Sequence, residues 1–131
     1  MPTKNGQERY PYPMVIRAIR GAIQVRSNTP EAIGDGVKEL MSAIMSSNSL
    51  TPDQVISVFF TSTPDLTAAF PAAAARDIGF EAVPLIGAVE VDVPGALDKV
   101  IRVMVHCQNS AVEASHIYLH GAQSLRRDIA Q

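Results

Sequence analysis

Four arginines stand in segments that otherwise read as buried: Arg17 and Arg20 in MVIRAIRGAIQV (14–25), Arg76 after FPAAAA, and Arg102 in VIRVMVHC (100–107). A guanidinium stays charged at any physiological pH and pairs with a carboxylate through a planar two-point fork. Taken singly, each arginine reads first as a structural ion-pair partner or a snorkelling side chain, and only second as a ligand clamp. Together they ask for a bound anion. The matching acids in extended segments are Glu90 and Asp92, and the segment of Glu90 is adjacent in sequence to that of Arg102. Residue types carry the reading as far as a pocket for a small carboxylate-bearing ligand.

Other chemistries find little support. Cys107 falls on the apolar side of its segment and reads as a buried, inert thiol. His106, His116 and His120 repeat no zinc-ligand spacing, and one cysteine makes a structural zinc site a poor reading, so no metal is expected. The sequence lacks a G-x-S-x-G elbow, a P-loop and a G-x-G-x-x-G fingerprint, which removes the usual signatures of acyl transfer, nucleotide hydrolysis and dinucleotide redox chemistry.

The chain that must position these groups has 131 residues and 14.0 kDa, with 47% apolar and 18% charged residues and a formal net charge of -2. These values describe one compact domain, expected over 14–131, preceded by a polar, proline-containing extension at 1–13. A core of this size needs no disulfide. The single cysteine and the lack of a secretory pattern place the protein in the cytoplasm. No apolar run approaches the ~20 residues needed to span a bilayer, so no membrane partner is expected. Eight of the eleven basic residues are Arg, but thirteen acids outnumber them, and without a general positive field nucleic-acid binding is not expected.

The elements follow from local pattern. Residues 14–25 read as a strand with no clean face: Val15, Arg17, Ile19 and Ile23 on one side, Ile16, Ala18, Arg20 and Ala22 on the other. Thr29-Pro30-Glu31 opens a helix with a capping hydroxyl, a proline where no donor is needed and an early acid. Ile33, Val37, Leu40, Met41, Ile44 and Met45 give it a continuous apolar stripe ending near Asn48. A single turn at 51–54 with capping-box spacing leads into the strand VISVFFTS (55–62). A short flat alanine helix covers 70–78, with Gly79 as a left-handed cap. The segment 82–93 reads as extended, with Val89, Val91 and Val93 on one face and Glu90 and Asp92 on the other. In the strand 100–107, Ile101, Val103, Val105 and Cys107 face inward while Arg102 shares the other side with Met104 and His106. Residues 117–119 form a last short extended piece, and the tail with Arg126 and Arg127 has no apolar period. This order predicts an α+β fold, a mixed sheet with helices packed on one face.

Several short pieces then occur in a distinctive order: Arg17-Ala-Ile-Arg20-Gly-Ala22, Thr63-Pro-Asp-Leu66, Phe70-Pro-Ala72 followed by Arg76, Val83-Pro84, Glu90-Val-Asp92, Pro94-Gly95, Ile101-Arg102-Val-Met104 and Tyr118-Leu119. The set resembles the monofunctional AroH-type chorismate mutase family over roughly residues 14–127. The resemblance implies a homotrimeric pseudo-α/β-barrel with active sites at subunit interfaces. It implies rearrangement of chorismate to prephenate without cofactor. Arg20 then resembles a carboxylate-binding arginine, Arg102 the arginine at a carboxylate and the breaking ether oxygen, and Glu90 the acid at the ring hydroxyl. Tyr118 resembles the phenol at the side-chain carboxylate. Phe70, Ala72, Ala73 and Arg76 match a neighbouring subunit's wall, Ile86 and Gly87 the strand wall before the acid, and Arg126 a closing tail arginine. Two positions depart from the family pattern: Ala73 where many members carry lysine, and Gly87 where some carry cysteine. Other functions compatible with such a scaffold are a non-catalytic anion-binding trimer and an imine deaminase of the related small-barrel type.

Overall fold

A computed structural model describes residues 14–109 and 113–126. The expected extension at 1–13 and Arg127 lie outside these described residues. Five strands, β1 (Val15–Gln24), β2 (Val55–Ser62), β3 (Leu85–Val89), β4 (Val100–Asn109) and β5 (Ile117–Leu119), form one mixed sheet in the order β3-β2-β4-β1-β5. β4 runs antiparallel to both β1 and β2, while β3 and β5 pair in parallel with β2 and β1. Two helices, α1 (Pro30–Ser47) and α2 (Pro71–Ala75), pack together on one face, as the sequence predicts.

α1 forms where its start signal stands: Thr29 Oγ1 accepts the Ala32 amide at 3.1 Å and Pro30 occupies the first turn. Its stripe of Ile33, Val37, Leu40, Met41 and Ile44 is fully buried against Ile19 and Ile23 of β1 and Ile101, Val103, Val105 and Cys107 of β4. Removing this apolar area from water is what fixes the sheet's inner face. Gly21 permits a close approach of β1, α1 and β5. A Cβ there would lie 2.7 Å from Ile44 Cδ1 and 3.1 Å from the Ile117 carbonyl oxygen.

Four local readings are corrected. β1 is buried only from Ile19 onward, and Ile16 remains 69% exposed, because alternation puts it on the sheet face away from α1. The helix expected over 70–78 is regular only over Pro71–Ala75; it widens through Arg76–Phe80, where Gly79 takes the left-handed φ of 107°. Arg76 is exposed, not set among buried groups. The extended segment 82–93 is a strand only over Leu85–Val89, since its neighbour β2 ends at Ser62 and offers no further ladder beyond the Glu90 amide. Val89, Val91 and Val93, which the sequence puts on one face, are all exposed, at 68%, 84% and 55%. The tail also contains an unexpected 3₁₀ turn over His120–Leu125, with Ala122 buried in a small second cluster beside Ala22, Val100 and Tyr118.

Candidate active site

Strand alternation sends Arg20, Phe59, Thr61, Ile86, Arg102 and Met104 to the sheet face that carries no helix. Register brings them together: Arg20 and Phe59 both flank Met104, while Ala22 and Thr61 both flank Arg102. Ala22 also pairs with Tyr118 of β5. Arg20, Phe59, Thr61, Arg102, Tyr118 and Arg126 line a shallow depression of about 280 Å³. The small side chain of Ala22 leaves lateral room for the guanidinium beside it.

Glu90 enters from just beyond β3. Its amide donates to the Ser62 carbonyl at 2.9 Å, which anchors it across the end of β2. Its Oε2 takes the Thr61 hydroxyl at 2.7 Å and the Arg102 Nε at 3.1 Å. Glu90 and Arg102 are neighbours in sequence order but not in the sheet; β2 runs between them, and Thr61 bridges the gap. The pair is asymmetric, Glu90 being 19% exposed and Arg102 47%. Nε is held by Glu90, and Arg102 lines the depression. Arg20 forms no ion pair among the described residues, although its amide donates to His116 Nδ1 at 3.0 Å. The Arg126 guanidinium lies 5.7 Å from the Tyr118 ring centroid, a cation–π distance. Asp92, the second candidate acid, is exposed and lies outside this depression.

The remaining sequence candidates lie elsewhere on the chain. Phe70 is 83% exposed and, with Gly87, lines a larger apolar hollow of about 510 Å³. Ala73 and Arg76 are exposed on and after α2, Ile86 is exposed on the open sheet face, and Ala72 is buried in its own chain's core. One chain thus carries two surfaces: a cationic depression around Arg20 and Arg102, and an apolar hollow around Phe70 and Gly87. Cys107 is fully buried in the core, and desolvation pushes its thiol up, away from the reactive thiolate. His116, which sequence reasoning considered only as a metal ligand, touches the site through Arg20. A period or spacing rule could not reveal that contact.

The family model for chorismate mutase type I matches residues 16–129. The chain belongs to the type I chorismate mutase family. It is 44% identical over 118 residues to Chorismate mutase AroH of Thermus thermophilus, covering 88% of this chain and 97% of that protein. Against Chorismate mutase AroH of Bacillus subtilis (strain 168) it is 39% identical over 120 residues, covering 89% and 94%. A solved chorismate mutase from Clostridium thermocellum superposes with a TM-score of 0.80 at 43% identity, covering 82% of this chain and 98% of that one. Among the described residues no helix is long and apolar enough to cross a membrane.

Proposed function

We propose that this chain is a chorismate mutase that converts chorismate to prephenate by an intramolecular [3,3] rearrangement, supplying phenylalanine and tyrosine synthesis. The observation that carries the reading is the convergence of Arg20 and Arg102 on one depression, with Arg102 braced by Glu90 through Nε. The reaction breaks one C–O bond and forms one C–C bond within a single dianion. No proton or electron leaves the molecule, so no base, metal or cofactor is required. What the protein must do is hold a compact conformer and stabilise the negative charge that grows on the ether oxygen as the C–O bond lengthens.

In this mechanism Arg20 binds a carboxylate, and the terminal nitrogens of Arg102 meet a carboxylate and the departing oxygen. Tyr118 offers its phenol to the side-chain carboxylate, under Arg126. Glu90 has a second oxygen, Oε1, for the ring hydroxyl. A positioned donor in a water-excluded site is worth ~2.7 to 4 kcal/mol, roughly 10² to 10³ in rate. Arg102 is half exposed in one chain, so that exclusion requires a lid. A homotrimer supplies it: the wall of Phe70, Ala72, Ala73 and Arg76 from one subunit closes the cationic depression of the next, where Ile86 and Gly87 stand on the strand before Glu90. The exposed apolar side chains of Ile16, Phe59, Ile86 and Phe70 support such burial. The trimer works in the cytoplasm, where its lone buried thiol stays reduced.

Purified protein incubated with chorismate and a chelator should form prephenate with saturable kinetics. Tight chorismate binding without conversion would instead favour the anion-binding scaffold, and ammonia release from imines the deaminase.

A further inference from the structure

β5 begins its parallel pairing with β1 at Gly21 opposite Ile117, so one residue earlier the Arg20 amide reaches the position of His116. There it meets the ring rather than a carbonyl, donating to Nδ1 at 3.0 Å. A backbone amide can only donate, so Nδ1 is the acceptor and the ring proton sits on Nε2. The ring's place is fixed from behind. Asn48, buried at the end of α1, accepts the Ser115 amide at 2.8 Å and donates to the Ser115 carbonyl at 2.9 Å, while also donating to the Ile44 carbonyl at 2.8 Å. Both backbone groups of the residue before His116 are thereby clamped to the helix end.

We propose that His116 is a positioning residue for the mutase reaction, holding Arg20 in place through a hydrogen bond that only its neutral ring can accept. The inference rests on the proposed function, because Arg20 is taken there as a carboxylate-binding cation. Protonation would put a second donor opposite the Arg20 amide and a third positive charge beside two guanidiniums. The charged groups acting on the ring are Arg20 from β1 and Arg126 beyond the last turn, both cations; burial is the larger cause, and all three depress its proton affinity. The ring therefore stays neutral in the fold to lower pH than a free histidine. The stability that follows from this is complete above the ordinary value of 6.5. It is lost as pH falls from there towards the lowered folded value, because the unfolded chain takes up the proton first.

The test compares wild type with His116→Asn, whose amide oxygen replaces the acceptor without titrating, and His116→Phe, which keeps a ring and removes the acceptor. Wild-type kcat/KM for chorismate should fall on an acid limb displaced below the ordinary histidine value of 6.5, as the lowered proton affinity of the buried ring requires. His116→Asn should stay within about threefold of wild type near pH 7.5 and lose that limb. His116→Phe should lose roughly five- to tenfold at the same pH. Retention of the acid limb by His116→Asn, or full activity in folded His116→Phe, overturns the proposal. If His116→Phe does not fold, the His116→Asn profile decides alone. Imidazole ¹⁵N chemical shifts of the wild type should report an unprotonated Nδ1 at neutral pH whether or not chorismate turns over; a protonated Nδ1 overturns the inference. Absence of wild-type turnover would instead strike the functional reading.

Discussion

At the scale of single residues, the site depends on what Glu90 does with its two oxygens. One is committed to Thr61 and Arg102, so its service to Arg102 is orientation of a guanidinium that must not rotate away. Replacing Glu90 by Gln keeps an oxygen acceptor, whereas Ala removes it. The Gln variant should retain more kcat/KM than the Ala variant, by roughly tenfold or more, since a lost hydrogen bond to a charged group is worth ~1.5–3 kcal/mol. Equal losses in a steady-state assay would point to a role for the carboxylate charge itself. Lysine in place of Arg102 keeps the charge but loses the fork, so it cannot hold Glu90 through Nε and present two outward donors at once.

At the scale of elements, the geometry of Arg20 is set by how tightly β1, α1 and β5 meet at Gly21. An alanine there would press on the Ile44 side chain and the Ile117 carbonyl, at 2.7 and 3.1 Å, and move the strand that carries Tyr118 and follows His116. Gly21→Ala should lower unfolding free energy by ~1–3 kcal/mol in urea titration; an unchanged midpoint would mean the gap is softer than it looks. This same region shows what sequence could reveal. The cap and stripe of α1 and the inward face of β4 were legible because each follows a period set by its own backbone. The arginines of the site were legible as charges in apolar runs. What stayed hidden depends on neighbours far along the chain. β3 stops where β2 runs out of carbonyls, Ile16 lies bare because no helix covers its face of the sheet, and the 3₁₀ tail turn rests on one buried alanine. His116 serves the site through a contact that only the parallel pairing of β5 with β1 creates.

At the scale of the whole molecule, the proposed mechanism calls for more than one chain. The cationic depression of one chain is shallow, and its apolar hollow lies around other residues. The bare sheet face carries Phe59, 50% exposed in the depression, and Ile16 further along β1, surface that the proposed trimer would bury. Placing a charge there by Phe59→Asp should shift sedimentation towards the monomer and reduce turnover in step, because an unpaired carboxylate in an apolar contact costs several kcal/mol. A monomer with full activity would show that the site needs no second chain. The central claim, however, is electrostatic. It is that a fixed guanidinium, shielded by assembly, steadies the oxygen leaving within a dianion whose attraction comes from local arginines, since the chain as a whole carries a charge of -2. The most direct measurement is single-turnover conversion of chorismate by assembled Arg102→Ala, alongside its chorismate affinity. The account predicts that the rate falls by roughly 10² to 10³ while binding weakens far less; an Arg102→Ala enzyme that turns over near the wild-type rate contradicts it.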